Sequence, residues 1–437
     1  MRISAIAAIC AAGIALSGCP ITGGAKYAVG GTVTGLTSSG LVLDLNAGDG
    51  ISFTASGSFV FGTRLANNAA YGVSISSQPS GQTCTVHNGS GTIDKAAITN
   101  VIVTCTQTGR FAYVANRQSN SISAYAIDPA SGALAPLSGS PFASNGTTPT
   151  ALTVDPDGQF LYVANSGSNS VSVYAINATT GALTAAGEPV ATGAGPGAVA
   201  VDPTNHYLYV ANLTSNNISA FVLGNGALTP VVDSPFSAGA EPASLSIDPN
   251  GNFLYVTNFT GNNVSVFLLD QSSGMLTGIS GSPFAAAAGP LSLAIDPTDA
   301  LAYVANNSAQ NISVYALNAT TGALNQSGSP LPAGTNPEAL TVDPAGRYLF
   351  AANAAAANQV ATYAIAPTSG ALTLQSSAAA GSLPIGIALD GMGQFLYTVN
   401  YNSNDVSAYT VSATGALTAV PGSPFAAGVQ PHSIAID

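Results

Sequence analysis

Side chains able to do acid–base or metal chemistry are scarce in this sequence. Three histidines, His87, His206 and His432, are spread over 437 residues, too few for a histidine-rich metal site. No G-x-S-x-G elbow and no phosphate-binding P-loop occurs, which removes two common routes to hydrolysis. Aspartates recur at near-regular spacing, at Asp155, Asp202, Asp248, Asp296, Asp343, Asp390 and Asp437. A Ca²⁺ site would need several oxygens gathered at about 2.4 Å. Here one such aspartate falls in each repeat, mostly before a proline, where it is expected to cap the backbone N–H groups of a turn. No metal and no cofactor is expected.

Amides and hydroxyls are plentiful instead. Short loops read "NRQSNS", "NSGSNS", "NLTSNN", "NFTGNN", "NNSAQN", "NAAAANQ" and "NYNSND". If they project from one face they offer hydrogen bonds to a neutral glycan or a peptide, with Arg117, Asn258, Phe259, Asn400 and Tyr401 as the candidate ligand-binding residues. The plainer expectation is that Asn, Ser and Gly are what tight turns require.

Charge narrows the partners. The formal net charge is −12 with only 7 Lys+Arg, so nucleic acid is excluded for want of a basic stripe. The N-terminus, "MRISAIAAICAAGIALSGC", has one basic residue and an apolar run too short to span a bilayer. Its last four residues, Leu16 to Cys19, resemble a bacterial lipobox. That implies a signal peptide over 1–18, acylation of Cys19, a tether over 19–26, and a protein anchored in the bacterial envelope through lipid. Pro20 after the cysteine favours the outer membrane by resemblance to enterobacterial sorting. Cys84 and Cys105 then remain as an even pair in an oxidising compartment, so a disulfide is expected.

The elements that must position these residues are strands. The chain is 46% hydrophobic and 6% charged, with 48 Gly and 26 Pro, and short Val/Ile/Thr/Tyr/Phe runs alternate with turn residues. Residues 27–107 hold about seven such strands, expected to form a small β-sandwich of Ig-like or prealbumin-like type. From 108 to 437 the text is periodic. "YVAN"-like strands end at Asn116, Asn165, Asn212, Asn258, Asn306, Asn353 and Asn400. Each is followed by a second strand carrying an aromatic, a Gly-containing turn into a third, and a strand ending in Asp. Four short strands per unit, seven times over, predicts a closed seven-bladed β-propeller. The first unit lacks the strand that precedes every later "YVAN", and the last residues, "HSIAID", supply one. They are therefore expected to pair beside "FAYVAN" and close the ring, which removes two exposed edges.

"YVAN", "YVTN" and "YTVN", with "DPxGxFLY" and "GALT", resemble the YVTN-repeat propellers of the lactonase-like superfamily. The resemblance covers residues 109–437. It implies a central pocket lined by loops in which a residue after a proline opens the innermost strand, and in some members hydrolysis of a phosphorylated sugar lactone. At those positions this chain has Thr150, Gly197, Ala243, Leu291, Glu338, Ile385 and His432. Only Glu338 and His432 can move a proton, so they are the candidate catalytic pair, although they lie in repeats separated by a third. The repeats contain no Lys and only Arg110, Arg117 and Arg347. A buried phosphate dianion without cationic partners is costly, which argues against a phosphosugar. The expectation is a membrane-anchored, non-catalytic platform for a glycan, peptide or envelope protein, with a lactone hydrolase of uncharged substrate as the alternative.

Overall fold

The computed structural model describes residues 25–36, 39–79, 82–107, 111–354 and 358–437, and every element in it is a strand. Cys19, the signal segment and Arg110 lie outside the described residues. The chain divides into two compact units, up to Thr106 and from Gln107 to Asp437.

The first unit holds two four-stranded sheets and a two-stranded one. Alternation does the work: Leu41–Leu45 buries Leu41, Leu43 and Leu45 and turns Val42 and Asp44 outward. Those leucines share one core with Val29, Val33, Phe59, Val101 and Val103 from the other sheet. Cys84 and Cys105 are bonded within this core, as the parity of the cysteines required. Closing a loop of that size contributes about 3 kcal/mol in the chain-entropy description.

The second unit is seven sheets of one pattern. In the second sheet, Pro149–Val154 is innermost, followed by Phe160–Asn165, Ser170–Ile176 and Leu183–Ala185, all antiparallel. The FLYVAN-type strands are buried on both faces because each sheet lies between two others, so their sequence runs apolar without alternation. The sheet containing Tyr348–Asn353 departs from the rest: its outermost strand, Leu372–Ala379, is one continuous segment, where the others have a three- or four-residue strand and a separate two-residue strand.

The aspartates end the inner strands and start the next. Asp155 Oδ1 accepts from the backbone N–H of Gln159 and Phe160 at 2.6 and 2.8 Å. Asp390 does the same for Gln394 and Phe395 at 2.6 and 2.7 Å. Each such charge-assisted bond is worth about 1.5–3 kcal/mol. The Gly-containing turns are equally determined. Gly181 has φ 67°, and a Cβ there would lie 2.5 Å from the Phe111 ring of the preceding sheet. Glycine is thus needed twice over, for backbone and for packing.

The last strand, Pro431–Ile436, pairs antiparallel with Phe111–Asn116, and Asp437 Oδ1 accepts from Phe111 N–H at 2.7 Å. The first and seventh sheets share a hydrophobic core of Val114, Tyr125, Phe395 and Tyr397. The Tyr397 hydroxyl donates to Gly132 O at 2.9 Å, the same bond that Tyr113 makes to Gly181 O at 2.9 Å between the first two sheets.

Candidate functional site

The innermost strands of all seven sheets line one cavity of about 570 Å³. Its wall is built from a repeated irregularity. In every sheet the register slips by one residue immediately after the leading proline, as between Pro149 and Ala151 or between Pro337 and Ala339. The extra residue of such a bulge is unpaired, and its side chain is re-aimed. These extra residues are Thr150, Gly197, Ala243, Leu291, Glu338, Ile385 and His432, and all of them line the cavity.

A second ring borders the first. The residue before each proline has a positive φ: Thr148 at 55°, Gly195 at 66°, Glu241 at 53°, Gly289 at 66°, Asn336 at 52°, Leu383 at 62° and Gln430 at 56°. For Thr and Leu that conformation is costly, and a residue before proline normally avoids it. Hydrogen bonds hold it in place. The carbonyl of Gln430 accepts from Arg117 N–H at 2.8 Å, and that of Leu383 accepts from Tyr401 N–H at 2.9 Å. Asn404 Oδ1 and Asn358 Oδ1 accept from the N–H groups of Gln430 and Leu383. The residue after each strand-ending asparagine is therefore fixed beside the cavity mouth, and two of these residues, Arg117 and Tyr401, line the cavity itself.

Chemistry collects on one arc of this double ring. His432 Nδ1 donates to Thr150 O at 2.7 Å. Burial holds the imidazole well below its ordinary range, at about 4; the Thr150 bond opposes this and the Arg117 charge adds to it. The ring is therefore neutral at physiological pH, and with Nδ1 carrying the proton the lone pair is on Nε2. Tyr401 meets His432 edge to face, with ring centroids 6.1 Å apart. Arg117 Nη1 donates to the Tyr401 hydroxyl at 3.3 Å. Further round, Glu338 Oε1 accepts from Asn307 Nδ2 at 2.9 Å. Burial raises the Glu338 carboxyl, and the Asn307 bond works against that rise.

The sequence-predicted residues are thus divided. His432, Glu338, Arg117 and Tyr401 are brought to one cavity. No hydrogen bond between His432 and Glu338 occurs among the described residues; His432 bonds to Thr150 and Glu338 to Asn307. Asn258 and Asn400 are corrected as ligand residues: both are fully buried within their sheets. Asn258 Nδ2 donates to Asn263 Oδ1 and Ser265 Oγ at 2.7 and 2.9 Å, and Asn400 Nδ2 to Asp405 Oδ1 and Ser407 Oγ at 2.6 and 2.9 Å. Phe259 follows Asn258 on the rim and is not part of the cavity wall. Most of the remaining loop asparagines are likewise spent internally, as Asn120 and Asn169 are, accepting from Thr148 N–H and Gly195 N–H. Arg347 is away from the cavity, paired with Asp343 at 3.2 Å. Sequence reasoning missed Thr150 as the anchor of His432 and Asn307 as the partner of Glu338. Asn307 follows Asn306 as Arg117 follows Asn116, which is the signal that could have found it.

The profile of the family "Lactonase, 7-bladed beta-propeller" matches residues 81–195, 189–336 and 329–433. Solved structures of the same fold include a putative 6-phosphogluconolactonase from Bacteroides uniformis, 22% identical, with a TM-score of 0.67, covering 74% of this chain and 98% of that one. The periplasmic gluconolactonase of Pseudomonas aeruginosa is 22% identical, with a TM-score of 0.66 and the same 74% and 98% coverage. A functionally unknown protein from Desulfotomaculum acetoxidans is 15% identical, with a TM-score of 0.60, covering 75% of this chain and 98% of that one. No curated protein sequence is significantly similar.

Proposed function

The chain belongs to the seven-bladed β-propeller lactonases, and from that premise we propose that it hydrolyses an uncharged sugar lactone in the central cavity. The observation that carries this reading is the arc of Arg117, Tyr401 and His432 on the wall of a single cavity. The family and its gluconolactonase neighbours favour this hydrolase over the non-catalytic platform.

A water oxygen attacks the lactone carbonyl carbon while Nε2 of His432 takes its proton. Charge then develops on the carbonyl oxygen, and the Arg117 guanidinium with the Tyr401 hydroxyl is the donor set that would receive it. The ring C–O bond breaks, the ring oxygen takes the proton back from Nε2, and a hydroxy acid leaves. A base held near pKa 4 is weaker than the near-neutral value that general-base catalysis favours, and the ester-like reactivity of a lactone carbonyl lowers the demand on it. Glu338, further round the same arc and held by Asn307, is suited to accept from a sugar hydroxyl. Arg117 is the one cation on the wall among the described residues. A phosphate dianion wants two or more such partners, so the substrate class is the unphosphorylated aldonolactone.

The finer architecture and location belong to the same reading. The last strand beside the first closes the ring. The N-terminal unit is a β-sandwich that acts as a spacer, and acylated Cys19 tethers the protein to the envelope.

Hydrolysis of glucono-δ-lactone and of its 6-phosphate, followed as acid release, tests the activity. Measurable turnover of the neutral lactone, lost in His432→Ala, supports the reading. Equal or better use of the phosphorylated lactone, or activity unchanged in that variant, would overturn it.

A further inference from the structure

At the end of the ring away from the candidate site, the turn after each inner strand has a left-handed residue three places beyond its aspartate. It is Gly158, Asn205, Gly251, Asp299, Gly346 and Gly393, with φ between 58° and 71°. Asn205 shows what a side chain at this place does. Its Nδ2 donates across the junction to Asp155 Oδ2 of the preceding sheet, at 3.0 Å. Asp299 occupies the same place one junction but one further on, where the preceding sheet offers Asp248. A carboxylate thus stands where Asn205 presents an amide donor and the other four turns have glycine.

The remaining oxygens of the pair are accounted for. Asp248 Oδ1 accepts from Phe253 N–H at 2.5 Å, and Asp299 Oδ2 accepts from Asn250 Nδ2 at 2.9 Å. Asp248 Oδ2 and Asp299 Oδ1 are buried and without a hydrogen-bond partner, in side chains 0% and 5% exposed. Two buried carboxylates cannot both stay ionised at such a junction, because each has lost its water and each repels the other. We infer that Asp299 Oδ1 carries a proton and donates it to Asp248 Oδ2, so that a carboxylic acid–carboxylate pair latches the fourth and fifth sheets and loosens as pH rises.

The surrounding charges agree in sign. Burial raises both carboxyls, and the charges of Asp248 and Asp296 raise Asp299 further. Tyr255, on the strand beside Asp248, is raised by burial and by both aspartates. Asp296 has its own donors, the N–H groups of Ala300 and Leu301, and no cation faces the pair among these groups. For a carboxyl raised on folding, the folded state binds more protons than the unfolded one. Its contribution is therefore present at low pH and lost as pH climbs toward the folded value.

Thermal unfolding of the purified full chain and of Asp299→Asn, from about pH 5 to about pH 8, tests the latch. The variant restores the amide used at Asn205. It should gain on the parent as pH rises, by roughly 3 °C or more at the alkaline end. Infrared difference spectra supply a second readout: a protonated-carboxyl C=O band in the parent at neutral pH, absent from Asp299→Asn and from Asp248→Asn. A difference in melting that does not change with pH overturns the inference. So does the absence of that band. So does a melting temperature raised by Ca²⁺ or Mg²⁺ in the parent alone, which would give the place to a cation.

Discussion

The second, third and fourth sheets and the fifth, sixth, seventh and first share one backbone, yet they carry different chemistry at the cavity wall and its rim. In the first group the bulge residues are Thr150, Gly197 and Ala243, and the residues after the asparagines are Ser166, Leu213 and Phe259. In the second group the same two places hold Glu338, His432, Asn307, Arg117 and Tyr401, alongside Leu291, Ile385 and Ala354. The bulge, the left-handed residue before proline and the clamping bonds are common to both. Scaffold and function are therefore separable. Two positions per repeat vary in chemistry while the bonds that build the repeat do not, which is how one fold can serve unrelated reactions.

That separation can be broken or sharpened by substitution. The largest effect should come from His432→Ala, which removes the base: kcat/KM for a neutral lactone should fall by about 100-fold or more. Thr150→Val keeps the carbonyl that anchors His432 and should change kcat/KM by less than about threefold. Arg117→Leu should cost roughly 10- to 100-fold through lost charge stabilisation, whereas Ser166→Ala, at the equivalent place on the quiet arc, should be silent. If the two arcs responded alike, the asymmetry would have no functional meaning.

Stability should show the opposite pattern, with no distinction between arcs. Gly181→Ala on the quiet arc and Gly415→Ala on the polar one meet the rings of Phe111 and Tyr348 at 2.5 and 2.6 Å. Each should cost about 2–4 kcal/mol in denaturant unfolding, and the two costs should match. Gly158→Ala, with φ 65° and open space around it, should cost only about 1 kcal/mol.

The smallest effect is in pH. His432 is depressed to about 4, so its unfolded form binds the proton more readily. Its contribution to stability is present above the ordinary histidine range and is lost as pH falls toward about 4. Activity should fall over the lower part of the same window, as Nε2 becomes protonated. A pH–rate profile of kcat/KM with an acid limb near neutrality would contradict this burial-driven shift.

Much of the fold was legible because a repeat states its own period. The spacing of Asn116 through Asn400 fixed seven modules, and the strand missing from the first module was the one present at "HSIAID". The turn role of Asp155 and its counterparts followed from residue type alone. The site was half legible. His432 and Glu338 stood out as the titratable residues after proline, and both line the cavity. Asn258 and Asn400 misled, because an asparagine in a polar loop and one that ends a buried strand look the same in sequence. Only burial and a serine seven residues on distinguish them.

By itself the sequence determined what is local and periodic: strand length, turn chemistry, module count and which residues can titrate. Those depend on side-chain type and on neighbours a few places away. The tertiary structure alone decided which residues meet. It joined Arg117, Tyr401 and His432 from distant stretches and anchored His432 on Thr150, 282 residues earlier. It also buried Asp248 and Asp299 away from solvent. Burial is a property of the assembled propeller, where each sheet's surroundings are its neighbours, and no single repeat encodes it.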